Sequence, residues 1–266
     1  MTSDRQAATA PAPLAGVAEL LAASGGDDYV RAVADPARTR EGWLHPAGAV
    51  GWVMRSRHAP GRLALVTVGP AVSAADLLRW VVEEARVDVG SVTLPRGGVE
   101  HLPTRFRVAP ANQWEFFRTR AAPPPQPAEH EVGWLEEAVD GPEILELLER
   151  WSPRHDAEPG QPHVRRWCGL RGTDGRLVAV GAHTEHQPGV PFLASIVTRA
   201  DHRGRGYGAA VTAWITRALL AERTGWVTLG MYSDNDGARR VYQRLGFDCD
   251  HLFTSGRLTV TSRSPG

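Results

Sequence analysis

The residues best placed to do chemistry are consecutive: Arg203, Gly204, Arg205, Gly206, Tyr207 and Gly208. They follow the apolar run Phe192 to Val197 and open the helical pattern Ala209 to Ala221. A strand, a glycine-rich turn and a helix start, in that order, leave several backbone N–H groups without intrahelical acceptors. The helix dipole adds partial positive charge at the same place. Glycine lets the backbone bend tightly and approach a ligand closely. Arg203 and Arg205 can add charge-assisted hydrogen bonds. The chemistry implied is the binding of an anion such as a diphosphate.

The elements that must position this turn can be read around it. Pro142 to Trp151 patterns as an amphipathic helix. Val164–Arg171 and Arg176–His186 read as strands joined by the hairpin signal Gly172-Thr173-Asp174-Gly175. Val190–Thr198 is a third strand, and the helix after the turn runs to about Arg223. Trp226–Tyr232 is another strand. Asn235 can cap a helix ending at Leu245, where Gly246 fits the left-handed position. Strand character returns from Phe247, with Arg257–Thr261 as a separate last strand. The first half shows helices at Leu14–Ala23 and Asp76–Ala85, and strands at Ala49–Arg55, Leu63–Val68 and Val92–Leu94. Leu63–Val68, a turn and a helix repeat the order of the second half. That turn, Gly69 to Ser73, lacks paired arginines, and Pro70 removes a donor.

The run Ala121 to Ala128 carries four prolines, which favour an extended conformation. It predicts an N-terminal domain over 1–120, a linker over 121–128 and a second domain over 129–266. Bases and acids balance at 30 each among 266 residues, which argues against a nucleic-acid binder. No run has the length of a membrane-spanning helix, and the first residues do not pattern as a secretory signal, so the expectation is a cytoplasmic protein. Cys168 and Cys249 make neither a disulfide framework nor a metal cluster, and both read as small buried side chains. No metal is expected.

A second constellation gives the turn its meaning. Arg203, Gly206 and Gly208 match Arg-x-x-Gly-x-Gly, and Asn235, Ala238, Tyr242, Gly246 and Phe247 match Asn-x-x-Ala-x-x-x-Tyr-x-x-x-Gly-Phe. In these motifs, over about residues 129–260, the chain resembles the GNAT superfamily of acyl-CoA-dependent N-acetyltransferases. The layout of the whole chain is similar to tandem GNAT proteins with a degenerate N-terminal copy. The resemblance implies an α+β fold, with a mixed, mostly antiparallel sheet flanked by helices and duplicated along the chain. It implies that residues 203–208 hold the pyrophosphate of acetyl-CoA, and that Ile196 and Val197 line the acyl-CoA slot. A backbone N–H at or near Val197 would polarise the thioester carbonyl. Tyr242 would protonate the departing thiolate, and Asn235 would contact the cofactor or start its helix. A dinucleotide fold wants G-x-G-x-x-G and an acid ending the next strand. Here the glycines alternate and Tyr232 ends that strand.

The reaction expected is transfer of acetyl to an amine by direct attack in a ternary complex. The alternative is a non-catalytic acyl-CoA sensor or scaffold. His183 and Glu185 share a strand face and either could be the base, or both are surface residues before the turn at Gln187, with Glu185 the candidate carried forward and Ser195 a candidate to orient a water. Cys168 as an acyl-carrying nucleophile would need an activating base that the sequence does not place. The acceptor is an amine-bearing small molecule or peptide, met by a monomer or homodimer. Glu143, Glu146 and Glu149 form an acidic stripe that suits a cation or serves as a solvated helix face.

Overall fold

The computed structural model describes residues 10–57, 59, 61–222 and 224–261. In chain order the elements are β1 (Ala12–Leu14), α1 (Gly16–Ala23), α2 (Asp28–Val33), β2 (Thr39–Leu44), β3 (Val50–Arg55), β4 (Leu63–Val68), α3 (Ala71–Glu83), β5 (Val89–Pro95) and β6 (Phe106–Thr119). There follow β7 (Gly133–Leu135), α4 (Glu137–Trp151), β8 (Val164–Arg171), β9 (Leu177–Glu185), β10 (Pro191–Thr198), α5 (Tyr207–Ala221), β11 (Val227–Tyr232), α6 (Asp236–Arg244) and β12 (Asp248–Val260). The fold is a mixed sheet flanked by helices, as the α+β reading implies.

Two compact units are present. Unit 1 takes the residues up to Glu115, with 232–234 and 251 onward; unit 2 takes Phe116–Met231 and Asn235–Asp250. Within unit 1 the strand order is β1-β2-β3-β4-β5-β12-β6. Strands β4 and β5 are parallel and joined by α3, which buries Leu77, Leu78 and Val81 against Leu65 and Val92. Within unit 2 the order is β6-β11-β10-β9-β8-β7, with β10 and β11 parallel and joined by α5. The same strand–helix–strand device is therefore built once in each unit.

Unit 2 folds around a strand with no exposed face until its last residue. β9 is buried from Leu177 to Thr184, as expected of a central strand covered on both sides. One side carries α5, whose Val211, Ile215 and Leu219 pack in one core with Leu193 and Leu229. On the other, α4 buries Ile144, Leu147 and Leu148. Gly206 starts α5 with a left-handed φ of +84°, and Asn235 starts α6 by accepting from the Ala238 N–H at 3.1 Å. Gly246 ends α6 at φ +83°.

Several elements differ from their sequence patterns. β6 has no counterpart in the prediction, because Pro110, Asn112, Gln113 and Arg118 break its apolar alternation. β12 is one strand from Asp248 to Val260, which joins the two segments that the sequence reads separately. The helix predicted from Pro142 begins at Glu137, since Pro142 is tolerated inside it. Cys168 is buried, but Cys249 is exposed on β12. The proline-rich segment lies in unit 2 and is held there: Arg217 on α5 donates to the Pro123 carbonyl and to Glu129.

Candidate functional site

The site grows from two departures from regularity in β10. The first is a bulge. β10 pairs with β9 as Ala194↔Ala182 and then Val197↔Val180, so Ser195 and Ile196 together oppose Gly181. Ser195 adopts φ +50° there. Space at Gly181 is tight, since a Cβ would lie 3.0 Å from Val211 Cγ1 and 3.3 Å from Ile196 Cγ1, and those side chains would have to give. The second departure is a splay. β10 and β11 pair only at Phe192↔Thr228 and Leu193↔Leu229, although both strands continue. Backbone groups of β10 beyond Leu193 are thus left facing a gap that no strand fills.

Alternation decides which groups those are. The Arg199 N–H donates to Val178 O on β9 at 2.8 Å. Hydrogen-bonding direction reverses at each residue of a strand, so Val197 also turns toward β9 and Thr198 turns toward the gap. Arg203 Nε accordingly reaches the Thr198 carbonyl at 3.2 Å. The expected N–H at Val197 is therefore directed inward, and Ile196 and Thr198 flank it on the open edge. Thr198 was not legible in the sequence, because an extra residue in a strand shifts the alternation unseen.

The turn lies at the end of this gap. Among the described residues no acceptor meets the backbone N–H groups from Gly204 to Gly208. Space beside the turn is open, for a Cβ on Gly204 or Gly206 would touch nothing within 4 Å. Gly208 is different: a Cβ there would lie 3.3 Å from Thr198 Oγ1, so this glycine seats the helix against the strand. The two arginines also differ. Arg203 donates to the carbonyls of Thr198 and Trp151, at 3.2 Å each, and so ties the turn to the end of α4. Arg205 reaches only the Asp201 carbonyl, at 3.5 Å, and is free to swing to a ligand. Asp201 is engaged by Arg199 at 2.8 Å, and its other oxygen lies 3.0 Å from His202 Nδ1. The arrangement can hold a multiply charged anion through its backbone, with Arg205 beside it.

Tyr242 is 7 % exposed, with its ring centroid 6.1 Å from both Phe117 and Phe247. Burial pushes its phenol up to about 12. No described residue hydrogen-bonds its hydroxyl, which is not among the sealed polar atoms. It therefore keeps a proton that it can donate.

The two other candidates for catalysis have partners. Glu185 Oε2 receives Arg165 Nε at 3.0 Å and Nη2 at 2.8 Å. Ser195 Oγ donates to the Ala157 carbonyl and accepts from the Ala157 N–H, each at 2.9 Å, which leaves it no hydrogen for a water. Glu143 takes Arg171 and Arg176, and Glu146 takes Arg176, so the acidic stripe is largely neutralised. Cys168 is buried and donates to the Gly181 carbonyl, and its thiol is pushed far above the ordinary range by desolvation.

His183 shares the face of Glu185, near Glu222 at the far end of α5 from the turn. Both ring nitrogens are buried without hydrogen-bond partners. Desolvation lowers it from 6.5 to about 4, opposed by Glu185 and Glu222 and aided by Arg166 and Arg165. The unfolded chain takes up this proton below about pH 6.5, whereas the folded chain resists until about pH 4, so stability falls as pH drops through that window. The difference is on the order of 3 kcal/mol at its acid end. His183→Leu is expected to flatten the loss, read by urea unfolding at neutral pH and within the acid window.

Comparison with known proteins bears on the fold. Residues 168–254 match the FR47-like protein family. A GCN5-related N-acetyltransferase from Sphaerobacter thermophilus is 17 % identical, over 93 % of this chain and 95 % of that one, with a TM-score of 0.55. One from Kribbella flavida is 22 % identical, over 80 % and 87 %, at 0.51. A GNAT-family structure from Novosphingobium aromaticivorans is 19 % identical, over 91 % and 97 %, at 0.51. The fold is that of the GNAT superfamily. No curated protein is significantly similar to the chain.

Unit 2 combines a bulge, a splay and a turn with unpaired N–H groups. The matching elements of unit 1 are built differently, and its irregularities lie between Thr39 and Glu41 on β2 and between Leu63 and Ala64 on β4. Its β3–β4 pairing runs from Val50↔Val68 to Arg55↔Leu63 without a shift. Its parallel pair is in register over four residues, from Leu63↔Val89 to Val66↔Thr93, with a shift after Leu63, where the β10–β11 pair holds only two. Its turn is filled as well: a Cβ on Gly69 would lie 2.8 Å from Gly48 O, and Ser73 Oγ donates to Pro70 O at 3.1 Å. Among the described residues, no group of acidic, histidine and cysteine side chains could hold a metal, and no helix is long and apolar enough to cross a membrane.

Proposed function

We propose that unit 2 is an N-acetyltransferase that moves acetyl from acetyl-CoA to an amine in a ternary complex, and that unit 1 is a degenerate copy without a cofactor site. The observation that carries this reading is the splay of β10 from β11 beside a turn whose N–H groups have no acceptor. Gly204 to Gly208 and Arg205 hold the pyrophosphate. Ile196 and Thr198 offer backbone groups to an amide-bearing arm, as an added strand would. A backbone N–H on the same edge faces the negative charge that develops on the thioester oxygen. The acceptor gives one proton to solvent, and its nitrogen bonds the acyl carbon and loses a second proton as the amide forms. The C–S bond breaks, and Tyr242 protonates the sulfur and is reprotonated from solvent. Asn235 orders the start of the helix that carries Tyr242.

One observation favours the second reading, a non-catalytic acyl-CoA sensor: neither Glu185 nor Ser195 is free to act on an acceptor. The test is a pooled amine panel, small molecules and peptides, incubated with acetyl-CoA and read by mass spectrometry and thiol release. The expected result is acetyl-CoA binding with acetylation of a subset of amines. Tight binding with no thiol release would support the sensor, and no binding would remove both.

A further inference from the structure

The sheet of unit 1 carries charge that the fold leaves unpaired. Arg62 leads into β4, Arg257 lies on β12 and Arg107 on β6. The strand order β4-β5-β12-β6 sets these arginines in a row. Register places them at one end of the sheet. Leu63 pairs with Val89 and Arg257 with Ser91, and Thr259 Oγ1 donates to the Arg107 carbonyl at 3.4 Å. Alternation places them on one face. Leu63, Leu258, Phe106 and Val108 pack in the core under α3, so Arg62, Arg257 and Arg107 turn to the opposite side. Farther along that side, Tyr29 of α2 covers Phe253, with ring centroids 4.4 Å apart. The three arginines lie beyond this cover and are exposed.

Two features mark the row as a site for an anion. Among the described residues, no carboxylate comes within ion-pair distance of the three arginines, Asp88 at the start of β5 included. In the same unit Glu83 takes both Arg79 and Arg105. Moreover, Arg62 is laid toward Arg257. A Cβ on Gly90 would lie 2.7 Å from Arg62 Nε and 3.0 Å from its Nη2, so the guanidinium rests on the bare backbone of β5. The next residue, Ser91, is the register partner of Arg257. Like charges gathered on one sheet face destabilise it, and an anion seated among them removes that cost.

We propose that this row is a docking surface for an extended acidic segment of a partner protein, whose carboxylates the arginines take by charge-assisted hydrogen bonds. The row crosses three strand spacings, about 14 Å, the reach of about four extended residues. It holds arginine, glycine, serine and threonine, with no aromatic side chain to stack a base. A lipid surface wants apolar anchors, and the exposed Leu252 and Val260 of β12 alternate to the other side. No residue of unit 2 enters this surface, so it is independent of the acetyl-transfer reading.

The test is a titration of fluorescein-labelled hexaglutamate with the full chain, read by anisotropy from about 20 to about 150 mM salt. Saturable binding that weakens with salt is expected. Arg62→Glu, Arg107→Glu and Arg257→Glu should each weaken it by about 10-fold or more. Arg240→Glu reverses an exposed arginine of unit 2 and should change it by less than about twofold. All four side chains are exposed, and an unchanged thermal midpoint checks that each variant folds. Equal weakening in Arg240→Glu would overturn the docking surface, because net charge alone would then account for binding. Absence of hexaglutamate binding at the lowest salt would overturn it as well. Oligothymidylate, or phosphatidylserine vesicles, bound more tightly than hexaglutamate through the same three arginines would reassign the row to phosphate and overturn the acidic segment.

Discussion

Gly206→Asp is expected to weaken acetyl-CoA binding by about 100-fold or more in calorimetry, near 3 kcal/mol, while leaving the thermal midpoint within a few degrees. Two effects act, and their sizes separate them. The position has φ +84°, which strains a side chain by about 1–2 kcal/mol, less for aspartate, which tolerates this region. A Cβ there meets no protein atom within 4 Å, so the fold has room for it. What occupies that room is a carboxylate placed among the unpaired N–H groups of Gly204 to Gly208. It competes for those donors and repels a diphosphate. Gly206→Ala carries the strain without the charge, and should lose about 10-fold or less. If Gly206→Asp and wild type bind acetyl-CoA equally, the turn is not the cradle.

The comparison of turn with turn shows what sequence can and cannot supply. Spaced glycines after an apolar run announced the turn at Arg203, because φ above zero and a bare helix start both follow from residue type. The role of each arginine did not follow. Arg203 and Arg205 are two apart and chemically alike, yet one is spent on the carbonyls of Thr198 and Trp151 and the other is left reaching outward. Trp151 is distant in sequence, so only tertiary structure could assign it. The bulge was hidden for a related reason. Phe192 to Thr198 reads as an unbroken strand, and nothing local says that Ser195 takes φ +50°. Its side chain bonds Ala157, a contact across 38 residues that no local pattern announces. Glu185 was read correctly as sharing the face of His183, but Arg165, on the neighbouring strand, was not paired with it. Short-range rules locate elements and caps. Partners across strands decide which polar groups stay free.

Tyr242→Phe is expected to lower kcat by about 100-fold or more while changing acetyl-CoA affinity by less than about threefold. The ring is what the fold uses. It packs on Phe117 and Phe247 and is nearly sealed from solvent, and phenylalanine preserves that packing. The hydroxyl is the part the fold does not use, because no described residue bonds it and it is not sealed from solvent. A buried phenol held near 12 stays protonated across the whole working range, so it is a donor and not a base. That fixes the shape of the pH profile. The limb set by the acceptor ammonium should persist in Tyr242→Phe, since deprotonating the acceptor does not involve the phenol. What should change is dependence on the leaving group: an acyl donor whose thiolate departs without a proton should recover much of the lost rate. If Tyr242→Phe turns over normally with acetyl-CoA, solvent or another residue protonates the sulfur, and Tyr242 belongs to the core alone.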